Sequence, residues 1–327
     1  MNDVAPWPTA LILHEDCGLH DTGWGHPEHQ GRLPAIVKAI ERDTPALLEH
    51  VLQHQARHAT VQQLLRVHTP DHIETVRAAV ARAAEAGTQI PLDADTVVSS
   101  ASWDAATAAA GCAIDAVDLI VSGRARTAFA LCRPPGHHAT ADRAMGFCLF
   151  NNVAVAARAA QAEYGIERVL IIDWDVHHGN GTQDIFYEDP RVFYLSLHLD
   201  HHYPGTGFAS ETGAGAAAGF TLNVPLPAGT AATDYRRAFT DAVQHAFATI
   251  RPELVLVSAG YDCLAGDPLG GLLLETDDLY DMTNEVLTLA RETAEGRVAV
   301  MLEGGYVPAR IGAGVVATLH ALAGLDR

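Results

Sequence analysis

The chain has 327 residues, of which 48% are hydrophobic and 19% charged, and its formal net charge is −19. This composition is typical of a soluble globular protein with a sizeable core. The acidic balance without a Lys/Arg cluster argues against a nucleic-acid-binding protein, because phosphate binding needs a basic surface. No apolar run approaches the ~20 residues of a membrane helix, and residues 1–8 lack the features of a secretory signal. We therefore expect a cytoplasmic protein that binds neither nucleic acid nor membrane.

Short apolar segments alternate with longer helical patterns. In chain order the sequence predicts a strand at 10–13, helices at 32–42, 70–86 and 102–122, a strand at 127–132, a helix at 152–164, strands at 168–173, 192–197 and 220–224, a helix at 232–250, a strand at 254–258, a helix at 276–295, a strand at 298–302 and a helix at 308–323. Several strands are apolar throughout, as in parallel sheets covered by helices on both faces. The pattern predicts one doubly wound α/β domain over residues 1–327.

Cysteine and histidine usage narrows the chemistry. The five cysteines, at positions 17, 112, 132, 148 and 263, form no C-x-x-C pair, which predicts buried free thiols in a reducing compartment. The 18 histidines nearly equal the 21 Lys and Arg residues in number, and several cluster in motifs.

Ligands of open parallel sheets bind outside the carboxyl ends of the strands, so motifs at these positions are candidate functional sites. The first is Arg133-Pro134-Pro135-Gly136-His137-His138, which follows the strand ending at Cys132. Its prolines and glycine predict a rigid loop that presents His137 and His138. A lone pair of this kind would more often be an incidental surface feature.

The second motif, Asp173-Trp174-Asp175-Val176-His177-His178-Gly179-Asn180-Gly181, follows the next predicted strand. Residues two apart project to the same side of an extended segment, so we expect Asp173, Asp175 and His177 to line one face. Burying several carboxylates without a cation would be costly, and Asp175 and His177 are therefore candidate ligands of one metal ion.

Three further motifs complete the set. Ser258-Ala259-Gly260-Tyr261-Asp262-Cys263 follows a predicted strand, and its Asp262 is a candidate third ligand. Three protein ligands with an open position are typical of catalytic zinc. In Glu303-Gly304-Gly305-Tyr306, the glycines would let a substrate approach the backbone and the tyrosine would stand over it. The segment 146–152 is an apolar loop that opens a helix.

Together, in this order, the five motifs resemble the histone deacetylase family. The resemblance runs from Gly25-His26-Pro27-Glu28 to Tyr306 and beyond, and Asn180 with the Glu303–Tyr306 motif is most similar to class II deacetylases and the bacterial histone deacetylase-like and acetylpolyamine amidohydrolases. It implies the arginase/deacetylase fold, with a mostly parallel sheet of about eight strands and helices on both faces. The arginase branch is disfavoured, because its paired-manganese motif differs around Asp173.

The resemblance implies a zinc-dependent hydrolysis of linear amides. The implied zinc ligands are Asp175, His177 and Asp262. His138 would be the general base and later the acid, and Asn180 would orient it. His137 would act as an electrostatic partner, with its ring oriented by Asp173. Tyr306 would donate a hydrogen bond to the developing oxyanion.

By the same resemblance, Phe147 and Tyr203 would wall a narrow acyl-lysine tunnel, with Tyr203 in place of the more usual Phe. The full set of implied substrate-binding residues is Gly146, Phe147, Tyr203, Leu269 and Gly304. A monovalent-cation site, normally potassium, would lie beneath the zinc and would be formed by Asp173, Ser196 and the carbonyls of Asp175, His177 and Leu197.

Alternatives stay open for the substrate. The expected partner is an acylated lysine of a protein or peptide, or a small acetylated amine, and a homo-oligomer is compatible with the sequence. Leu269 favours acyl-lysine, because a polyamine deacetylase of this family places a carboxylate at that point. An acidic group elsewhere would still recruit polyamines.

Two alternatives that are not enzymes are disfavoured. A catalytically inactive acyl-lysine reader would lack a metal ligand or the tyrosine, and a structural metal site would not need the adjacent His137 and His138.

Overall fold

Strands and helices alternate along most of the chain. The computed structural model describes residues 9–47 and 49–327. In chain order the elements are β1 (Thr9–Leu13), α1 (Arg32–Arg42), α2 (Thr44–Leu47), β2 (Val51–Gln55), α3 (Val61–Leu64), α4 (Pro70–Ala86), β3 (Ile90–Pro91), β4 (Val97–Val98), α5 (Ser102–Val121), β5 (Thr127–Ala130), α6 (Asn152–Tyr164), β6 (Val169–Asp173), α7 (Asn180–Phe186), β7 (Val192–Leu199), β8 (Thr221–Leu226), α8 (Ala232–Ile250), β9 (Leu254–Ala259), α9 (Thr276–Thr293), β10 (Val298–Leu302) and α10 (Pro308–Ala323).

The core is an eight-stranded sheet in the order β2-β1-β5-β10-β9-β6-β7-β8. Every pair of neighbouring strands in it is parallel. Helices α1, α10, α9 and α8 pack side by side in one layer, and α5 packs against α6 in another. The central strands are buried from end to end, because both faces of the sheet are covered. The predicted single-domain α/β fold is confirmed.

All seven predicted strands are present, and the eighth, β2, was missed. Its sequence VLQHQ has two apolar residues followed by three polar ones and lacks an alternating pattern. The strand forms a half-exposed edge of the sheet. The short antiparallel pair of β3 and β4 was also not predicted. The predicted limits 1–327 include residues 1–8 and 48, which lie outside the described residues.

Two composition-based expectations can be compared with the structure. All five cysteines are buried free thiols, as predicted. Within residues 9–47 and 49–327, no helix combines the length and the apolar character that crossing a membrane requires.

Several histidines are buried in the neutral form, and hydrogen bonds of such rings hold loop segments in place. Burial lowers the pKa of four of them: His20 to about 4, His68 to about 3, His178 to about 3 and His198 to about 4. His68 has a fixed tautomer: its Nδ1–H donates to the carbonyl oxygen of Thr140 (3.0 Å), and its Nε2 accepts from the backbone N–H of Asn151 (2.9 Å). Protonation at Nε2 would break the second bond, so the fold favours the neutral ring.

We predict that acid destabilises the fold partly through His68. The unfolded chain takes up this proton near pH 6.5, whereas the folded chain does so only near pH 3, so stability falls as the pH drops below 6.5. Each such proton contributes about 1.4 kcal/mol per pH unit. The unfolding free energy can be measured by urea titration at several pH values between 7.5 and 4.5 and plotted against pH. The slope of this plot should be shallower by about this amount in His68→Gln. Glutamine is chosen because its amide can both donate and accept a hydrogen bond.

The control is His201→Gln, since the His201 side chain is 83% exposed. This variant should keep the native slope. An unchanged slope in His68→Gln would contradict the assignment.

Candidate active site

Loops that follow five parallel strands meet at the carboxyl edge of the sheet. The strands are β5, β6, β7, β9 and β10, and all five motifs singled out in the sequence lie at the ends of β5, β6, β9 and β10 or in the segments that follow them. This convergence is what the parallel topology dictates, because the carboxyl ends of all eight strands lie along one edge.

The chain turns sharply after β6. Asp173 ends the strand, and its Oδ1 accepts the backbone N–H of Asp175 (3.1 Å). Asp175 Oδ1 in turn accepts the N–H of His177 (2.9 Å). These side-chain-to-backbone bonds replace the predicted extended segment with a turn. As a result the side chain of Asp173 does not join those of Asp175 and His177. It contacts the ring of His137 instead.

The three predicted metal ligands come together. Ligand atoms of Asp175, His177 and Asp262 all lie within 4.8 Å of one another, and all three residues are buried. His177 Nδ1 lies 2.9 Å from Asp175 Oδ1 and 3.4 Å from Asp262 Oδ2. Asp175 Oδ2 accepts the N–H of Gly304 (2.9 Å), and Asp262 Oδ1 accepts that of Val176 (2.9 Å).

One oxygen of this cluster, Asp262 Oδ2, is buried without a hydrogen-bond partner. Buried polar atoms of this kind point to a missing ion or water. Two carboxylates and one imidazole are a donor set that zinc accepts, with a further position left for water or substrate. The residues present therefore fit a zinc ion.

The charges of the cluster support the same interpretation. Burial opposes protonation of His177, but the hydrogen bond to Asp175 and the negative charges of Asp175 and Asp262 outweigh it and raise the pKa of His177 to about 10. Burial and the neighbouring charge of Asp175 raise the pKa of Asp262. A proton on His177 would partly offset the charge of the two carboxylates, and a bound cation would take over that role.

His137 and His138 are adjacent but have different partners. His137 Nδ1–H donates to Asp173 Oδ2 (3.0 Å), and His138 Nδ1–H donates to Asn180 Oδ1 (2.9 Å). Burial opposes protonation of His137, but Asp173 and Asp175 outweigh it and raise its pKa to about 10. Burial lowers the pKa of His138 well below 6.5, and the nearby rings of His137 and His177 act in the same direction. The pair thus combines a charged and a neutral imidazole.

A cavity of about 200 Å³ leads to the cluster. It is lined by Asp95, His138, Gly146, Phe147, His177, His202, Tyr203, Leu269 and Tyr306. The Phe147 ring packs edge-on against Tyr306 (5.9 Å between centroids), and Tyr203 packs edge-on against His138 (5.1 Å). The volume and aromatic walls suit a slender aliphatic chain.

Tyr306 is fixed at the side of this cavity. Its backbone N–H donates to Asp267 Oδ2 (2.7 Å), and the guanidinium of Arg32 lies 5.3 Å from its ring centroid. Burial and the carboxylates of Asp262 and Asp175 raise the pKa of the Tyr306 hydroxyl well above 10. The hydroxyl therefore stays protonated and can donate a hydrogen bond at neutral pH.

Two predicted groups lie outside the cavity lining. Gly304 lies against the Asp175–Asp262 cluster and bonds Asp175 instead. The potassium site stays a prediction. Ser196 on β7 pairs in register with Asp173 on β6, next to Leu197, and Ser196 Oγ is hydrogen-bonded to His198 Nδ1 (2.8 Å).

The structure adds two lining residues that were not predicted. Asp95 lies between β3 and β4, where its Oδ1 accepts the N–H of Gly146 (3.2 Å), and no sequence pattern marks this position. His202 follows β7, and its Nε2–H donates to the carbonyl oxygen of Leu269 (2.9 Å). Its place after a buried strand is the signal that could have identified it.

A parallel α/β sheet with a buried carboxylate–histidine cluster and a neutral histidine at its carboxyl edge is an arrangement typical of metal-dependent hydrolases. Comparison with known proteins identifies the family. The family model described as Histone deacetylase domain matches residues 26–322. Histone deacetylase 14, chloroplastic, of Arabidopsis thaliana is 39% identical over 326 residues, which cover 97% of this chain and 77% of the relative.

A bacterial relative and a solved structure agree. The Histone deacetylase-like amidohydrolase of Pseudomonas aeruginosa is 39% identical over 300 residues, covering 91% of this chain and 76% of the relative. The crystal structure of the HDA15 HD domain superposes with a TM-score of 0.90 at 38% identity, covering 98% of this chain and 89% of that one. The chain belongs to the histone deacetylase family, and its chemistry is hydrolytic deacetylation.

We predict that Gly146→Ala lowers turnover by displacing His138. Gly146 has φ +56°, and a Cβ there would lie 2.4 Å from His138 Cδ2. The ring would have to move, and a displacement near 1 Å can cost about 100-fold in rate. Steady-state kinetics on an acetylated substrate should show a fall in kcat of about that size.

Gly165→Ala is the matched control, since Gly165 has φ +68° but a Cβ there would meet nothing within 4 Å. It introduces similar backbone strain, about 1–2 kcal/mol, without the collision, so it should lower stability but keep kcat. Equal kcat in the two variants would argue against the role of Gly146.

Proposed function

We propose that the protein is a zinc-dependent deacetylase that hydrolyses the amide of N-acetylated or N-acylated lysine side chains and releases acetate and the free amine. The proposal rests mainly on the arrangement of groups at the end of the cavity. A narrow aromatic cavity ends where a neutral histidine, a tyrosine hydroxyl and a carboxylate–imidazole cluster meet.

Asp175, His177 and Asp262 would hold the ion. When bound, zinc would polarise the amide carbonyl and lower the pKa of a water molecule. The buried cluster contributes a dry environment and the negative charge that retains a divalent cation.

His138 would move the proton. Because its Nδ1–H is used by Asn180, its Nε2 presents a lone pair, and its low pKa keeps that lone pair free. It would accept the proton of the attacking water and then pass it to the leaving amine. His137, held charged by Asp173, would stabilise negative charge that develops beside it.

Tyr306 would stabilise the oxyanion. Its protonated hydroxyl stands in the same cavity as His138 and His177 and can donate to the carbonyl oxygen as charge develops there. A donor placed in this way contributes roughly 3–4 kcal/mol to the barrier reduction.

The cavity wall supports acyl-lysine as the substrate. Phe147 and Tyr203 offer ring surfaces to an aliphatic stem, and Leu269 is apolar and half-buried at the lining. An acetylated polyamine is the second candidate, because the carboxylate of Asp95 also lines the cavity and could attract a further ammonium group.

The proposal includes a potassium ion held by Asp173, Ser196 and the carbonyls of Asp175, His177 and Leu197. It also includes a cytoplasmic location, which the five free thiols support, because unpaired cysteines are typical of reducing compartments.

We predict that the native protein binds one zinc ion per chain, and that Asp262→Ala loses both the metal and the activity because one of three ligands is gone. Elemental analysis after dialysis and a deacetylation assay measure the two properties. Full zinc content in Asp262→Ala would refute the metal site.

Tyr306→Phe is the control for this experiment. It removes one hydroxyl and no ligand, so it should keep zinc and lose kcat by roughly 100- to 1000-fold on an unactivated acetyl-lysine peptide.

We predict that the native protein prefers an acetyl-lysine peptide to acetylspermidine or acetylputrescine, and that Leu269→Glu shifts the preference towards the polyamine. The new carboxylate would pair with ammonium groups at the cavity. The measurement is kcat/KM on all substrates for both proteins. A native preference of tenfold or more for polyamine would contradict the proposal, as would a Leu269→Glu variant with unchanged preference.

A further inference from the structure

Glu303 is a buried carboxylate to which the mechanism above gives no role. It follows the last residue of β10 and is 0% exposed. It begins the Glu303-Gly304-Gly305-Tyr306 motif, in which only the tyrosine has a proposed chemical function.

The carboxylate joins the loops after β5 and β10. Glu303 Oε2 accepts the backbone N–H groups of Gly136 (2.6 Å) and His137 (3.2 Å). Its Oε1 accepts the hydroxyl hydrogen of Ser258 on β9 (2.9 Å). When the carboxyl group is ionised, hydrogen bonds of this type are about twice as strong as those between neutral groups. One side chain therefore holds the two amides that immediately precede His138.

The backbone of Glu303 is fixed by other bonds. Its N–H donates to the carbonyl oxygen of Ala259 (2.9 Å), and its carbonyl oxygen accepts from Arg32 Nη2 (2.5 Å). The next N–H, of Gly304, donates to Asp175 Oδ2. The side chain thus extends from a rigid strand end, three residues before Tyr306.

The histidine loop has independent anchors elsewhere. Arg133 donates to the Glu28 carboxylate (2.6 Å), the carbonyl oxygen of Pro134 accepts from Asn152 Nδ2 (3.1 Å), and that of His137 accepts from the N–H of Thr182 (3.1 Å). These bonds hold the path of the loop if the carboxylate is removed. The bonds of Glu303 act at the amides nearest the reacting imidazole.

We propose that Glu303 is a positioning residue for deacetylation, whose carboxylate fixes the His137–His138 segment at a set distance from Tyr306. The proposal rests on the roles proposed above for His138 and Tyr306. Proton transfer and oxyanion stabilisation must act on one amide, so a shift of the histidine loop relative to the tyrosine would cost turnover rather than substrate affinity.

The test compares Glu303→Ala and Glu303→Gln with Asp115→Ala in the zinc-loaded full chain. Asp115 is the matched control because it is also buried and also accepts three hydrogen bonds, from His54 Nε2, the Arg57 N–H and Arg57 Nε, but lies on α5 away from the cavity. All variants are assayed for zinc content, melting temperature, and kcat and KM on an acetyl-lysine peptide.

We expect Glu303→Ala to lower kcat about 100-fold with KM within about twofold, since the cavity wall is unchanged. Glu303→Gln should lose only about tenfold, because its amide oxygen still accepts from the two N–H groups more weakly. Zinc content should match the native protein in each. Asp115→Ala should lower the melting temperature and keep kcat within about twofold.

A second substrate separates positioning from general damage. Trifluoroacetyl-lysine is more reactive and needs less proton transfer and oxyanion stabilisation, so the loss of kcat in Glu303→Ala should be several-fold smaller on it than on acetyl-lysine. A merely structural defect would reduce both rates equally.

The proposal is overturned if Glu303→Gln keeps native kcat, if the loss in Glu303→Ala falls on KM or on zinc content, or if Asp115→Ala loses as much kcat. Should Glu303→Ala fail to fold, Glu303→Gln still decides the matter through its kcat and the ratio of the two substrates. A native protein inactive on both acetyl-lysine and acetylpolyamine would instead refute the proposed function itself.

Discussion

The carboxyl groups of Asp173, Asp175, Asp262 and Glu303 are fully buried around the candidate metal site at the carboxyl edge of the sheet. Removing an ionised carboxylate from water costs several kcal/mol unless other groups replace its hydration. Backbone N–H groups and the charged ring of His137 supply most of that replacement, and one oxygen of Asp262 is left over. The site therefore depends on balancing this negative charge, and a cation would balance the charge that remains.

The same requirement explains why glycine occurs around the site. A Cβ at Gly304 would lie 2.1 Å from Asp262 Oδ2, and one at Gly179 would lie 2.2 Å from Asp173 Oδ2. No other residue lets the main chain come this near to the carboxylates. At Gly304 the close approach brings the N–H within 2.9 Å of Asp175 Oδ2. Because glycine has no side chain, its N–H can reach the buried carboxylate and stabilise its charge.

The fold and the clustering of the three candidate ligands could be predicted from the sequence because both depend on local pattern. Apolar runs mark the buried strands, and the position after a strand marks Asp175, His177 and Asp262. What could not be predicted depends on contacts between distant segments. The edge strand β2 buries too little to have an apolar pattern, and Asp95 reaches the cavity from a short hairpin whose sequence resembles any acidic turn. The bonds of Glu303 to a loop more than 160 residues earlier leave no trace in spacing.

The protonation states of His137 and His138 also depend on contacts with distant segments of the chain. The two rings are neighbours in one loop, with centroids 4.0 Å apart, and both are buried. Their difference arises from the acceptor of each Nδ1–H: the carboxylate of Asp173 adds a negative charge beside His137, whereas the amide of Asn180 fixes the tautomer of His138 without adding charge. Once His137 is charged, it further disfavours a second proton on its neighbour. A carboxylate at position 180 would reduce this asymmetry, because its negative charge would raise the pKa of His138.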